Sequence, residues 1–241
     1  MSIETKHKVF HKADSRGIAD HGWLKSRHTF SFASYYNPDR VNFGALRVLN
    51  DDIIKPGMGF GTHPHDNMEI VSIPLSGSLA HKDSTGREQE IKTGEVQIMS
   101  AGSGIYHSEY NYSKTEDVNF LQIWVMPKER NIEPRYDQKD FTDKLQENRL
   151  VSVVSTDNKD ALWINQDAEF LLGKLSPETN LTYQLKHKNS GVYIFLINGE
   201  AKINDMSLNH RDAVGFFDIQ QIIINTVKDS TLLVIEVPKS Y

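Results

Sequence analysis

The chain has 241 residues, of which 38% are hydrophobic, with a formal net charge of −5 and no cysteine. Disulfides, thiolate metal sites and thiol nucleophiles are therefore excluded, and the lack of cysteine fits a reducing compartment. An acidic balance without a long Lys/Arg block gives no electrostatic footprint for nucleic acid, and no apolar run is long enough for a membrane helix. The opening MSIETKHKVFHKAD is polar throughout and carries no signal-peptide pattern, so the expected location is the cytoplasm.

Residues 1–50 open with a charged arm and continue as HGWLKSRHTFSFASYYNPDR. Thr29, Ser31 and Ala33 alternate with Phe30 and Phe32, which predicts a strand over 29–33. Asn37-Pro38-Asp39 predicts a turn, and residues 44–50 (GALRVLN) predict another strand. The aromatic residues Phe30, Phe32, Tyr35, Tyr36 and Phe43 read most simply as core and sheet surface. From 51 to 130 the pattern is strand after strand: 69–75, 79–82, 88–92, 95–99 and 120–126, each bounded by Gly, Ser, Asp or Pro. Short strands at this spacing, with no helical periodicity, predict a sandwich or barrel.

Residues 131–150 (NIEPRYDQKDFTDKLQENRL) are polar and charged, and predict a solvated connecting arm. Strand patterns resume at 150–155, 168–174, 181–185, 192–197, 213–217, 221–225 and 231–237, with Asn198-Gly199 predicting a hairpin. The two halves share one texture. The sequence is therefore read as all-β with two tandem domains, residues 1–130 and residues 131–241 with the arm.

Two stretches stand out, GMGFGTHPHDNMEIVSIPLSG (57–77) and GEVQIMSAGSGIYHSE (94–109). Residues i and i+2 of a strand share a face, so His63 and His65 point one way and His107 and Glu109 form a second same-face pair. Lying side by side, the two segments would bring three imidazoles and a carboxylate to one point, a donor set suited to a divalent transition metal. A lone histidine is more often a packed or surface residue, and that is the reading for His21, His28, His187 and His210. The paired arrangement, behind glycine-rich approaches at Gly57, Gly59, Gly61, Gly94, Gly102 and Gly104, is harder to dismiss. The second half has no such pair, which predicts one metal per chain, held in the first half.

His63-Pro64-His65 with Glu69 and Gly77 resembles the first cupin motif, and Gly94, Ser100-Ala101-Gly102 and His107 resemble the second. DHGWLKSRHTFSFASYYNP, FGTHPHDNMEI, EVQIMSAGSGIYHSEYN and LQIWVMP together resemble the pirin family, closely over residues 15–140 and in texture beyond. The resemblance implies a bicupin, two tandem jelly-roll β-barrels with metal in the N-terminal one. It implies ligands His63, His65, His107 and Glu109; Glu69, a ligand in ordinary cupins, becomes a supporting carboxylate. The intervals from Glu69 to Gly77 and from Gly102 to His107 are longer than in the general cupin pattern, as they are in pirins.

The resemblance puts iron first, although Mn, Co, Ni, Cu and Zn all accept such a set. It further implies a quercetin 2,3-dioxygenase-like activity on flavonols with O₂, in which Glu109 takes the 3-hydroxyl proton. The alternatives are a redox-dependent regulatory module that docks another protein, as associated with eukaryotic pirin, and a non-redox cupin such as an isomerase or sugar binder. Phe43, Phe60, Met68 and Met99 near the site lean against a sugar.

Overall fold

The computed structural model describes residues 8–146 and 148–240. Apart from two short 3₁₀ turns, Ala13–Ser15 and Lys144–Gln146, its regular elements are all antiparallel strands. No helix among the described residues is long and apolar enough to cross a membrane. In the first half, a seven-stranded sheet runs in the order Arg135–Asp140, Glu95–Ser100, Glu69–Ser76, Val118–Val125, Leu46–Ile54, Leu24–His28, Gly17–Asp20. It is joined by a four-stranded sheet, Gly59–His65, Ile105–Asn111, Ser78–Asp83, Glu88–Lys92. The second half repeats the plan. Its six-stranded sheet is Lys8–His11, Ala213–Phe217, Ser190–Asn198, Ser230–Pro238, Glu169–Leu175, Leu150–Ser155. Its four-stranded sheet is Asn180–Gln184, Gln221–Thr226, Glu200–Ile203, Met206–Asn209.

The two large sheets share one apolar core. Val71, Ile73, Leu121 and Ile123 of the seven-stranded sheet belong to the same buried cluster as Phe170, Leu172, Phe195 and Leu233 of the six-stranded sheet. Phe43 and Phe217 stack within it, ring centroids 4.0 Å apart, so Phe43 belongs to this core and not to the site. Strands buried on both faces lose the polar alternation of a half-exposed sheet, and Glu69–Ser76 is buried over its first six residues.

The barrel interiors differ. The second holds one continuous apolar cluster that includes Leu171, Tyr183, Val192, Ile194, Ile222 and Ile224. Its buried carboxylates Glu169 and Glu236 accept hydrogen bonds from Lys186 and from the Tyr183 hydroxyl, respectively. The first holds two separate apolar clusters, one around Leu24, Ile54, Leu79 and Phe120, the other around Ile70, Met99, Ile105 and Tyr136. Buried polar residues occupy the same barrel, among them Asn50, Asp52, Ser72, His81, His107, Glu109 and Gln122. Burying polar groups costs free energy unless they are paired or bind something, so this is where function is to be sought.

Several expectations are corrected. The strand of the early aromatic region is Leu24–His28, not 29–33; Ala33 has φ 49°, and the chain turns there into a bridge between Phe32 and Tyr35. Asn198-Gly199 is a turn but not a hairpin. The strands on either side of it belong to different sheets, and a Cβ on Gly199 (φ 97°) would meet the Asp229 carbonyl.

Two strands also cross the expected boundary at 130/131. Lys8–His11, in the charged arm, pairs with Ala213–Phe217 in the second half, whereas Arg135–Asp140, in the expected linker, pairs with Glu95–Ser100 in the first. Each is an edge strand with few buried side chains, of which Tyr136 and His11 are the anchors.

His11 makes this exchange sensitive to acid. Its ring lies against Phe30, Nδ1 is 2.8 Å from the Tyr193 hydroxyl, and burial, reinforced by Arg40 and Arg16, lowers its pKa from 6.5 to about 4. Between those values the unfolded chain binds the proton and the folded chain does not, so stability is full above 6.5 and falls as pH drops toward 4. The expected loss is about 2 kcal/mol at pH 5 from this group. Urea denaturation of wild type and His11→Phe at pH 7 and pH 5 checks it: the variant should lose less on acidification, and equal losses would refute the assignment.

Candidate metal centre

Strand pairing sets the site. Ile105–Asn111 lies between Gly59–His65 and Ser78–Asp83, with His107 directly opposite His63 and Glu109 opposite His81. A bulge between His107 and Glu109 shifts the register, so that Glu109 faces Phe60. Gly59 permits the approach, since a Cβ there would run into the Glu109 carbonyl. The expected neighbours His63 and His65 come together with His107; Glu109 does not join their group. The rings of His63, His65 and His107 sit 4.5 to 4.8 Å apart between centroids, and one nitrogen from each lies within 4.8 Å of the others.

The ring chemistry is that of a ligand set. His63 Nδ1 is 2.8 Å from the Gly61 carbonyl; as an acceptor only, that oxygen fixes the proton on Nδ1 and leaves Nε2 with a free lone pair. Neither ring nitrogen of buried His107 has a hydrogen-bond partner in the protein. Burial first, then the neighbouring imidazoles, lowers the pKa of both His65 and His107 to about 3. These rings are therefore neutral at physiological pH, as metal ligation requires.

Glu109 lies outside this nitrogen group but lines the same cavity. Its Oε2 accepts from Gln122 Nε2 at 2.6 Å, and its Oε1 accepts from Ser72 Oγ at 3.1 Å. Burial raises its pKa, opposed mainly by His81.

Glu69 is elsewhere. Its Oε2 accepts from Ser100 Oγ at 2.8 Å and from the Asn165 backbone N–H at 3.1 Å, tying the seven-stranded sheet to the segment that follows it. Glu69→Gln should therefore keep metal content at wild-type level and cost stability, by about 1–2 kcal/mol. Metal analysis with denaturant unfolding checks this, and metal loss would make Glu69 a ligand. His21 is exposed, and His28 packs its ring on Phe32 at 5.2 Å; neither joins the group.

The cavity beside the histidines measures about 380 Å³ and has aromatic walls from Trp23, Phe32, Phe60 and Trp124, with Asn50, Asp52 and Gln122 among its polar residues. Of these, sequence reading places only Phe60 near the site and takes Phe32 for core and sheet surface. Met99 lies in the apolar cluster of Ile70 and Tyr136, with Met68 packed against it. His81, fully buried with its ring 5.3 Å from His107, was also passed over. The missed signal was polar residues recurring at i,i+2 in otherwise apolar strands, as at Asn50 and Asp52.

A bicupin with a three-histidine group in its first barrel is the class that this fold and site define. The sequence matches the family Pirin over residues 9–125 and the family described as "Quercetinase C-terminal cupin domain" over residues 152–237. A protein of Escherichia coli strain K12 named quercetin 2,3-dioxygenase is 45% identical over 228 residues, covering 94% of this chain and 97% of its own. A pirin-like protein of Caulobacter vibrioides is 41% identical over 225 residues, covering 92% and 96%.

Among solved structures, YhhW from Escherichia coli superposes with a TM-score of 0.92 at 42% identity, covering 96% of this chain and 97% of that one. A structure of the same bacterial pirin in complex with nickel(II) gives 0.91 at 42% identity, covering 96% and 99%. The chain belongs to the pirin family.

Proposed function

We propose that this chain is a dioxygenase that cleaves flavonols such as quercetin with O₂ at a single metal held by His63, His65, His107 and Glu109. The observation that carries the reading is the convergence of three imidazoles, two of which, His63 and His65, line an aromatic-walled cavity that also contains the carboxyls of Asp52 and Glu109. The similarity to proteins named quercetin 2,3-dioxygenase supports the substrate class. One metal per chain is supported by the donor groups: among the described residues, the cluster able to hold an ion is His63, His65 and His107 of the first barrel. Iron, nickel, manganese, cobalt, copper and zinc all suit the donor set, and nickel(II) is the ion in the YhhW complex.

A bound metal would supply Lewis acidity and redox access to O₂. The chain's own residues do the rest. His63, His65 and His107 fix the point at which the substrate oxygen is held. Trp23, Phe32, Phe60 and Trp124 stack the flat rings and keep water out. Glu109 receives the 3-hydroxyl proton on a carboxylate oxygen, leaving the electron-rich flavonolate. Its pKa, raised by burial, favours that transfer near neutral pH. Ser72 and Gln122 aim the carboxylate. Oxygen-electrode assays with quercetin on protein reconstituted separately with each metal test the reading; no O₂ uptake with any of them would reject it.

A further inference from the structure

The wall facing the histidines carries polar atoms that nothing in the protein satisfies. Asn50 and Asp52 occupy alternate positions of Leu46–Ile54, in the large sheet, and both line the cavity. Each residue is 3% exposed, and neither Oδ1 has a partner in hydrogen-bond geometry, although the Ser26 hydroxyl, opposite Asp52 in the register, approaches its carboxyl. On the neighbouring strand of the same wall, the indole Nε1 of Trp124 is likewise buried without an acceptor. Burial pushes the Asp52 carboxyl up to about 7, with Asp51 and Glu109 adding to the rise and Ser26 opposing it. Unpaired buried acceptors are costly, and a site that keeps them is built for a ligand that brings donors.

We infer that Asn50 and Asp52 are specificity-determining residues that accept hydrogen bonds from a pair of neighbouring phenolic hydroxyls on the substrate, with Trp124 Nε1 donating to a substrate oxygen. The inference rests on the dioxygenase reading for the identity of the cavity and deepens it by naming what the substrate ring must carry. Alternate residues of a strand stand roughly 6.7 Å apart. That spacing lets two acceptors flank two adjacent ring hydroxyls, each reached at ordinary hydrogen-bond length. Hydroxyls also serve the lone donor, since each has lone pairs to offer Trp124. The aromatic walls select a flat ring, and the acceptors select hydroxyls over methoxyl or hydrogen. A site built to bond a hydroxyl discriminates against the analogue without one more strongly than an apolar pocket rejects an added group.

The test is anaerobic binding to the metal-loaded protein, read by quenching of tryptophan fluorescence. It uses three flavonols that differ only in the pendant ring: quercetin (two adjacent hydroxyls), kaempferol (one) and galangin (none). The expected affinity order follows the hydroxyl count, with about tenfold lost per hydroxyl. Asn50→Leu and Asp52→Leu, made separately, should each compress that series by about tenfold. Asn50→Leu should not lower thermal stability, because it removes an unpaired polar atom, whereas Asp52→Leu also removes the Ser26 contact and should cost little.

Equal binding of all three flavonols by wild type overturns the inference, and needs no variant. A series unchanged in the variants also overturns it, because the hydroxyl pair would then be recognised elsewhere, for instance at the metal. A preserved series with lower stability would make the two side chains structural. The two readings separate cleanly. Hydroxyl-graded binding without O₂ uptake sinks the dioxygenase and leaves this recognition standing, whereas O₂ uptake with no grading does the reverse.

Discussion

Replacing His107 by alanine should remove the metal: affinity is expected to fall by more than about 100-fold, the upper end of what losing a merely supporting group costs. Three features make His107 the most informative of the three. It is the most buried, it lies opposite His63 in the register, and neither of its ring nitrogens bonds to anything in the protein. In metal-free protein the substitution therefore breaks no hydrogen bond, and its cost is limited to the lost packing of one ring.

In metal-loaded wild type, binding adds stability that grows with the ratio of free metal to Kd. Thermal unfolding with and without added metal should thus show a clear rise for wild type and none for His107→Ala. Elemental analysis should fall from one metal per chain to none. The same loss is expected for His63→Ala, whose ring is oriented by the Gly61 carbonyl. Full metal retention by both variants would mean that the three imidazoles are a packed cluster and not a metal centre.

Much of this site was legible before any coordinates, because strand geometry is so regular. A period of two puts His63 with His65 and His107 with Glu109, whatever the tertiary context. What could not be read was the second wall. Asn50, Asp52, Ser72 and Gln122 sit on strands of the large sheet, and only the pairing of Leu46–Ile54 and Glu69–Ser76 with Val118–Val125 brings them opposite the histidines. Sequence distance hides such contacts, and polar residues in an apolar strand look like ordinary alternation.

The strand exchange was hidden for a different reason. Lys8–His11 and Arg135–Asp140 are edge strands, half solvated, and their polar composition resembles that of a linker. The hairpin at Asn198-Gly199 failed because a turn signal fixes the local backbone and not which sheet the chain enters next. Glu69 shows the same limit. The motif placed it near the site, but its partners, Ser100 and the Asn165 N–H, decide what it does.

Glu109→Gln is expected to lower turnover by about 10²–10⁴-fold at equal metal occupancy, the usual worth of general-base assistance. The substitution suits the question because the surrounding network can absorb it. Glu109 Oε2 now accepts from Gln122 Nε2, while Ser72 Oγ approaches both Glu109 Oε1 and Gln122 Oε1 at 3.1 Å. With an amide in place of the carboxylate, one donor would face another unless Gln122 turned over. After that flip its Oε1 accepts from the new amide, and the Ser72 hydroxyl, which both donates and accepts, completes the set. Fold and cavity are thereby retained, and three imidazoles remain to hold the metal.

What the amide cannot do is take the 3-hydroxyl proton at neutral pH. Raising the pH ionises the flavonol without help, so the variant's rate should climb toward wild type as the solution grows more alkaline, whereas the wild-type rate should be flatter over the same range. O₂ consumption with quercetin against pH, at matched metal content, measures both curves. A rate that falls without alkaline recovery would assign Glu109 to metal binding alone. An undiminished rate would leave the dioxygenase standing and move the base elsewhere in the cavity, where Asp52, with its carboxyl pushed up to about 7 by burial, is the next carboxylate to test.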